Sequence, residues 1–145
     1  GESDMETLKE SLSQLDDERI ILENLPCRAG VQRFFAYDYI TIKELSAGFS
    51  NRTCLDFSHA MVTSAVQKKD YKELINELLK LDVRLFHMTD GKKEVADDLH
   101  LPLFEGNLDL EYFKSIVKKS ACKRVTLETP IDPASQKKEY DWLKK

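Results

Sequence analysis

Short apolar runs recur along the chain at intervals of about 30 to 40 residues, and each run ends in a residue that can bind a metal ion or move a proton. The runs cover residues 20–23, 54–56, 85–87 and 125–128, and they end in Glu23, Asp56, His87 and Glu128. The sequence between them has helical periodicity, and this alternation is typical of a parallel α/β protein. Because the carboxyl ends of parallel strands open on one side of a sheet, we expect the four terminal residues to converge.

The same pattern predicts the order of the elements. A helix marked by Met5, Leu8, Leu12 and Leu15 opens the chain and is closed by residues 16–18, and a loop through Pro26 and Gly30 follows the first strand. Strands are predicted over residues 20–24, 53–57, 83–88 and 124–128, and helices over residues 39–47, 61–66, 71–81, 110–117 and 133–142. The helix over residues 39–47 is expected to stop at Gly48. The loop over residues 89–107 is longer than packing alone requires, so it is a candidate substrate lid or binding loop.

A helix followed by four strand–helix units matches half of a (β/α)8 TIM barrel of about 250 residues. A small open, doubly wound sheet is the alternative. Neither a GxGxxG sequence nor a P-loop follows the first strand, so the nucleotide-binding versions of that sheet would lack their phosphate cradle here. The pattern therefore favours an α/β half-barrel with four parallel strands, which forms a single partial domain over residues 1–145.

Composition narrows the class of protein. The chain has 145 residues, of which 41% are hydrophobic, and this is enough to pack one core. The net charge is −4 and the two signs are interspersed, so no large basic surface is offered to a nucleic acid. The three cysteines lack CxxC spacing, and no apolar stretch approaches the roughly 20 residues that cross a bilayer. We therefore expect a reduced, cytoplasmic protein that does not enter a membrane.

The four strand-end residues form a candidate metal site. Side chains alternate between the faces of a strand, so Glu23, Asp56, His87 and Glu128 share the lumen side of the barrel, while Leu22, Leu55, Phe86 and Leu127 point towards helices. Their oxygen and nitrogen donors suit Mn²⁺, Mg²⁺, Co²⁺ or Zn²⁺ in a site that keeps positions open for a substrate. Burying three carboxylates together is costly, so either a metal compensates them or some are protonated. A single residue of this kind more often caps a helix, but the joint register of four favours a shared metal site.

A second group of polar residues lies near the first. His59 follows Asp56 by three residues, and it can either bind a second metal or donate a hydrogen bond to a substrate oxygen. Asp98 and His100 lie in the long loop. A solvated acidic loop is the alternative for Asp97 and Asp98, and the residues alone do not decide between the two.

Several short segments resemble one superfamily in their order along the chain. They are Leu22-Glu23-Asn24, Leu55-Asp56-Phe57-Ser58-His59-Ala60, His87-Met88-Thr89-Asp90, the segment from Asp98 to Asn107, and Leu127-Glu128-Thr129-Pro130. Together they resemble the xylose isomerase-like TIM-barrel superfamily, which includes sugar and sugar-phosphate isomerases and epimerases and the endonuclease IV-type abasic-site nucleases (AP endonuclease family 2). Phe104 departs from the family pattern, which commonly has Gly at that position.

The resemblance implies roles for these residues. Glu23, Asp56, His87 and Glu128 would form the single divalent-metal site of the ketose epimerases, in which the two glutamates act as the acid/base pair and the metal stabilises an enediolate. The nuclease branch would use the same four residues with His59, Asp98 and His100 in a three-zinc cluster that hydrolyses a phosphodiester. That cluster also needs histidines from earlier strands. The complete mononuclear set within the chain therefore favours a sugar or sugar-phosphate isomerase or epimerase.

The matching segments correspond to the C-terminal half of the family's barrel. An isolated half-barrel leaves open sheet edges and an uncovered lumen face. We therefore expect either a missing N-terminal half-barrel or a second copy of the chain as partner, a small carbohydrate or sugar phosphate as substrate, and nucleic acid only under the nuclease alternative. A third alternative is an inactive barrel fragment that serves as a binding or assembly module.

Overall fold

The computed structural model describes residues 2–15, 17, 19–47 and 52–145, in which helices and strands alternate. The helices are α1 (Glu2–Ser13), α2 (Tyr39–Ser46), α3 (Phe57–Gln67), α4 (Tyr71–Leu78), α5 (Leu110–Lys119) and α6 (Pro133–Lys144). The strands are β1 (Leu22–Glu23), β2 (Arg28–Ala29), β3 (Gln32–Arg33), β4 (Arg52–Asp56), β5 (Asp82–Met88) and β6 (Val125–Leu127). The predicted closure of α1 at Asp16 and Glu18 and the predicted stop of α2 at Gly48 lie outside the described residues.

The central sheet is parallel and has the strand order β1-β4-β5-β6. This confirms the predicted fold class, an α/β arrangement of four parallel strands that forms part of a TIM barrel. The outer strands are shorter than predicted, because β1 has two residues and β6 has three. Strands β2 and β3 form a separate antiparallel hairpin in the segment predicted to be a loop. At its turn Gly30 has a φ of 56°, the left-handed conformation that glycine adopts most readily.

Aspartates set the beginnings of the helices. In α2 to α6 the side chain of the preceding aspartate accepts a hydrogen bond from a backbone N–H of the first turn; these residues are Asp38, Asp56, Asp70, Asp109 and Asp132. The cap corrects the predicted boundary after the second strand. The sequence pattern predicts a strand over residues 53–57 and a short helix over residues 61–66, but β4 ends at Asp56 and α3 begins at Phe57.

The hydrophobic core lies between the helices and one face of the sheet. Leu55 on β4 and Phe86 on β5 point into this core and are fully buried. The ring of Phe57 stacks on Phe86 and on Phe113, with centroid separations of 5.5 Å and 4.5 Å. The strand-end polar residues alternate with these apolar ones, so the core orients them towards the opposite face of the sheet.

The opposite face of the sheet is here called the lumen face. Arginines lie on it at the amino ends of the strands. A cavity of about 490 Å³ there is lined by Ile21 and Leu85 and by Arg19, Arg52, Arg84 and Arg124. Arg19 is paired with Asp17, and Arg84 with Asp82. The beginnings of the strands therefore carry a cluster of four arginine side chains on this face.

Asp90 organises the long loop after β5. Its buried carboxylate accepts hydrogen bonds from four backbone N–H groups, those of Gly91, Phe104, Gly106 and Leu108. Asp90 also exchanges two backbone hydrogen bonds with Leu101 across an antiparallel bridge. A Cβ atom at Gly106 would overlap the Gly91 carbonyl oxygen and the Asp90 carboxylate, so the loop closes there on a glycine. The loop is therefore held by a buried anion within it.

Two residues connect this loop to the last helix. Phe104 has a φ of 79°, the left-handed conformation that a glycine adopts with less strain. Its ring packs edge-to-face on Trp142 of α6 with a centroid separation of 5.4 Å, and this contact offsets part of the strain. Glu139, which is 1% exposed, accepts hydrogen bonds from the Leu103 N–H and the Thr129 hydroxyl, both at 2.8 Å. Helix α6 thus fixes both the loop and the segment after β6.

Within the part of the chain that the structure describes, every helix is too short or too polar to cross a membrane.

Replacing Asp90 with asparagine tests the loop anchor. An amide cannot accept at both ends, so Asp90→Asn leaves buried N–H groups unpaired and should lower the free energy of unfolding by about 2 to 3 kcal/mol. Denaturant titration measures the change. Asp97→Asn, on an exposed residue of the same loop, is the matched control and should change the free energy by less than about 0.5 kcal/mol. Equal effects of the two variants would contradict the anchoring role.

Candidate active site

The strands bring the four predicted residues together at their carboxyl ends. Glu23 ends β1, Asp56 ends β4, His87 is the penultimate residue of β5, and Glu128 follows β6. The parallel register pairs Asp56 with His87. One ligand atom from each of the four side chains lies within 4.8 Å of the others. We call this group the tetrad; its role as a ligand set stays a prediction.

His87 lies among the three carboxylates of the tetrad. Its Nδ1 atom is 3.0 Å from Glu23 Oε1 and 3.0 Å from Glu128 Oε1, and it is 3.8 Å from Asp56 Oδ2. The hydrogen bond to Glu23 raises the pKa of His87, and the charges of Glu23, Glu128 and Asp56 add to the effect. The three negative charges are thus concentrated around one ring nitrogen.

Asp56 is the buried member of the tetrad. Burial raises the pKa of its carboxyl group to about 6, although the charge of His59 opposes the shift. Oδ1 accepts from the His59 N–H at 2.7 Å and from the Ser58 hydroxyl at 3.1 Å. Among the described residues, none donates a hydrogen bond to Oδ2.

An unpartnered carboxylate oxygen at this depth is costly unless a cation binds it. Three carboxylates and one imidazole are also the donors that Mg²⁺, Mn²⁺, Co²⁺ or Zn²⁺ accept. The tetrad therefore fits a divalent cation, because its donor atoms are of the right kind and because Oδ2 of Asp56 lacks a hydrogen-bond donor among the described residues.

His59, Asp98 and His100 form a second group beside the tetrad, with ligand atoms within 4.8 Å of one another. Asp98 Oδ2 lies 3.1 Å from His59 Nε2 and 2.6 Å from His100 Nε2, and Ser58 donates to Oδ1 at 2.7 Å. Burial would raise the pKa of Asp98, but the hydrogen bonds from His59 and Ser58 outweigh it and lower the pKa. Asp98 is therefore a bound carboxylate of the site, whereas Asp97 is exposed.

His59 joins the two groups. Its Nδ1 atom lies 2.8 Å from the Asn24 carbonyl oxygen and 3.5 Å from Glu23 Oε1, while Nε2 faces Asp98. Burial acts to lower the pKa of His59, but the hydrogen bond to Asp98 and the charges of Asp56 and Asp98 prevail and raise it to about 9. A protonated ring donates from both nitrogens, which suits the two acceptors that it contacts.

His100 lies at the outer side of the second group. Its backbone is left-handed, with a φ of 47°, and this conformation directs the loop back towards β6. Its Nδ1 atom lies 2.9 Å from the carbonyl oxygen of Glu128. Burial lowers the pKa of His100, but the Glu128 carbonyl and the charge of Asp98 outweigh it, so the net shift is upwards. The long loop therefore contributes two side chains to the rim of the tetrad.

Asn24 and Ser58 position the site, and sequence reasoning assigned them no role. Asn24 is buried, and its side chain donates to the Asp56 carbonyl at 2.9 Å and accepts from the Asp56 N–H at 2.8 Å. This reciprocal pair fixes the end of β1 against the end of β4. Ser58 bridges Asp56 and Asp98. Their positions in the sequence could have indicated this role, because each lies within two residues of a strand-end carboxylate.

Cys54 lies beneath the tetrad. It precedes Asp56 by two residues on β4, so the two side chains share the lumen face. Burial is the main cause that raises the pKa of its thiol, and the carboxylates of Glu23, Asp56 and Glu128 add to it. The thiol is therefore neutral unless something binds the sulfur.

Truncating Asn24 tests the positioning of the tetrad. Asn24→Ala leaves the Asp56 N–H and carbonyl without their side-chain partner, so the free energy of unfolding should fall by about 2 to 3 kcal/mol. Affinity for Mn²⁺ should fall as well, because the two strand ends are no longer tied. Denaturant and Mn²⁺ titrations measure both effects. Asn76→Ala, on the exposed side of α4, is the control, and an equal loss in that variant would refute the positioning role.

Comparisons with known proteins agree with this architecture. The solved structure of a D-tagatose 3-epimerase-like protein superposes on 99% of the chain with a TM-score of 0.68 and 19% sequence identity. At that identity the likeness shows the fold. The chain spans about half of that structure, 52% of its length. A comparison with curated proteins finds no match.

The family is shown by the sequence itself. A family model described as xylose isomerase-like TIM barrel (AP endonuclease family 2) matches residues 2–145, nearly the whole chain. The match contains every residue of the tetrad and of the second group. The resemblance predicted from the short ordered segments is therefore confirmed, and the chain belongs to the xylose isomerase-like TIM-barrel family.

Proposed function

We propose that the chain is part of a divalent-metal-dependent sugar or sugar-phosphate isomerase or epimerase that works by proton transfer. The observation that supports this most directly is the convergence of Glu23, Asp56, His87 and Glu128, with a buried oxygen of Asp56 that lacks a hydrogen-bond donor among the described residues. The family and the epimerase-like structural neighbour agree with an isomerase or epimerase type of enzyme.

The tetrad would hold the cation. When bound, a divalent cation supplies Lewis-acid stabilisation of negative charge that develops on substrate oxygens. Asp56 contributes charge only, because its side chain is 1% exposed and does not reach a substrate. His87 is oriented by its contacts with Glu23 and Glu128.

Glu23 and Glu128 are the proposed acid/base pair. Their side chains are each 29% exposed, so both remain accessible from the open side of the site. They lie at the carboxyl ends of the two outer strands, Glu23 as the last residue of β1 and Glu128 directly after β6, and both contact His87. A substrate bound between them has one carboxylate on each side of the carbon next to its carbonyl group, so one can remove a proton and the other can return one. The stereochemistry of the substrate decides which glutamate acts as the base.

His59 and His100 would orient the substrate. Both rings lie on the rim of the tetrad with both nitrogens against protein oxygens. Their raised pKa values favour the protonated form, so their positive charge would attract a hydroxyl, carbonyl or phosphate oxygen of the substrate. Asp98 holds both rings in place. The rim thus favours a small, oxygen-rich substrate such as a carbohydrate or a sugar phosphate.

A complementary half-barrel would cover the lumen face. In the described part of the chain, β1 pairs only with β4 and β6 only with β5, which leaves the sheet open at both edges. Two copies of the chain could form one barrel with all strands running in the same direction along its axis. The arginines of the two copies would then meet where the strands begin, and the carboxylates of the two copies would meet where the strands end. This charge pattern favours a partner half of different sequence over a second copy.

Replacing Glu128 with glutamine tests the proposed chemistry. The amide cannot accept the proton, so exchange of the hydrogen next to the carbonyl of a ketose or ketose phosphate should fall by at least about 100-fold. Deuterium incorporation from D₂O, followed by NMR, measures this exchange, and elemental analysis gives the metal content. Glu73→Gln, on the exposed side of α4, is the matched control and should keep both values. Unchanged metal content and turnover in Glu128→Gln would rule out the assignment.

The second candidate is an abasic-site phosphodiesterase with zinc. It is favoured by one observation, the donor set of His59, Asp98 and His100 that adjoins the tetrad and could hold a further cation. The net charge of −4 weighs against it, because no large basic surface is offered to a nucleic acid.

Zinc stoichiometry separates the two candidates. We expect one tightly bound divalent cation per chain and no cleavage of a duplex that contains an abasic site. The nuclease candidate instead requires additional zinc that Asp98→Asn removes, together with strand cleavage at the abasic site. Asp97→Asn is the control for the change of charge in this loop. Cleavage that depends on Asp98 would replace the epimerase assignment with the nuclease.

A further inference from the structure

A second set of donor atoms overlaps the tetrad. The sulfur of Cys54 lies within 4.8 Å of ligand atoms of Glu23 and His87. Cys54 is 3% exposed and lies one residue layer deeper on the lumen face than Asp56. Glu23 and His87 are therefore shared between a set with three oxygens and one nitrogen and a set with sulfur, nitrogen and oxygen.

We propose that Glu23, Cys54 and His87 form a binding site for a thiophilic divalent cation of the Zn²⁺ or Cd²⁺ class, deeper in the lumen than the cation held by the tetrad. Thiolate sulfur binds such ions in preference to Mg²⁺ or Mn²⁺, which prefer oxygen. The chain thus offers two overlapping positions, of which the tetrad prefers ions such as Mg²⁺ or Mn²⁺ and the sulfur-containing set prefers Zn²⁺ or Cd²⁺.

A buried carboxylate oxygen indicates that this region of the lumen face accommodates a cation. Oδ2 of Asp56 is buried and lacks a hydrogen-bond donor among the described residues, and Asp56 follows Cys54 by two residues on the same face of β4. The carboxylates of Glu23, Asp56 and Glu128 all act on the sulfur, and a cation would offset their negative charge. A cation at the deeper position remains within the electrostatic reach of this carboxylate.

Binding at sulfur exchanges a proton for the metal. The S–H bond of Cys54 breaks as the sulfur–metal bond forms, and the proton leaves to water, so neither an oxidant nor a reductant takes part. The two remaining cysteines lie elsewhere. Cys122 donates a hydrogen bond to the Arg84 carbonyl oxygen, and Cys27 lies beside the β2–β3 hairpin. Each can therefore be replaced without touching the proposed site.

The two positions exclude each other because both need Glu23 and His87. A thiophilic cation at the deeper position would occupy Glu23 and His87, so the tetrad could no longer hold its own cation. Glu128 would then have no correctly placed substrate to act on. This consequence, inhibition of turnover by thiophilic ions, rests on the proposed function. The binding itself does not, so it is tested without any assay of turnover.

Cadmium titration of the chain tests the proposal. Cd²⁺ should produce the ultraviolet charge-transfer band of a sulfur–cadmium bond, and this band should be lost in Cys54→Ser and retained in Cys27→Ser and Cys122→Ser. Glu23→Gln should shift the midpoint of the titration to higher Cd²⁺. Mn²⁺ added beforehand should suppress the band by competition.

Mn²⁺ binding, followed by electron paramagnetic resonance, is the control for folding. It should be unchanged in Cys54→Ser, because the tetrad remains; Cys54→Ala replaces this variant if serine disturbs the fold. A band that survives the loss of Cys54, that disappears instead with Cys27 or Cys122, or that is absent from the unmodified chain would overturn the proposal. Failure of the unmodified chain to bind Mn²⁺, together with a normal cadmium band, would instead refute the tetrad and leave the sulfur site standing.

Discussion

The parallel register of β4 and β5 is the constraint on which the site depends. It places Asp56 beside His87 at the same height of the sheet, and β1 and β6 add one glutamate on either side. The apolar partners of these residues, such as Leu55 and Phe86, are buried in the core, so a one-residue slip would exchange the core and the site. Packing of the hydrophobic face therefore concentrates the negative charges on the other face. The repulsion among these negative charges is reduced by His87, by the hydrogen bonds that Asp56 accepts as a helix cap and, in our proposal, by a cation.

Much of this arrangement is readable from the sequence. The helical sequence between the apolar runs predicts a parallel sheet. Each run carries its polar residue in the same phase, so strand alternation predicts that the four members of the tetrad share one face. The sequence predicts the boundaries of the helices and strands less accurately. The helix after β4 begins four residues earlier than periodicity indicates, because Asp56 caps it and no loop intervenes. The sequence pattern does not predict the β2–β3 hairpin, because strands of two residues are too short to show an alternation of polar and apolar side chains.

The groups that orient the site were the part that sequence could not supply. Asn24 and Asp90 act through backbone atoms, and Ser58 acts through the side chains of Asp56 and Asp98. Most of these partners are distant in sequence, and residue type alone does not encode such contacts. The long loop illustrates this. Its length indicated a binding segment, but its order depends on the buried carboxylate of Asp90 and on the anchor that Glu139 provides from α6. Phe104, the departure from the family pattern, adopts the left-handed backbone expected of a glycine and is stabilised by Trp142.

Asp56 uses its two oxygens for different purposes. Oδ1 caps α3 and accepts from Ser58, whereas Oδ2 faces the tetrad. Selection for a stable fold is therefore sufficient to retain this aspartate in a barrel that has lost its chemistry. Glu128 makes no such cap, so it is free to drift once activity no longer matters. In surveys of related genomes, the loss of Glu128 with Asp56 retained would mark lineages in which the barrel persists as a scaffold.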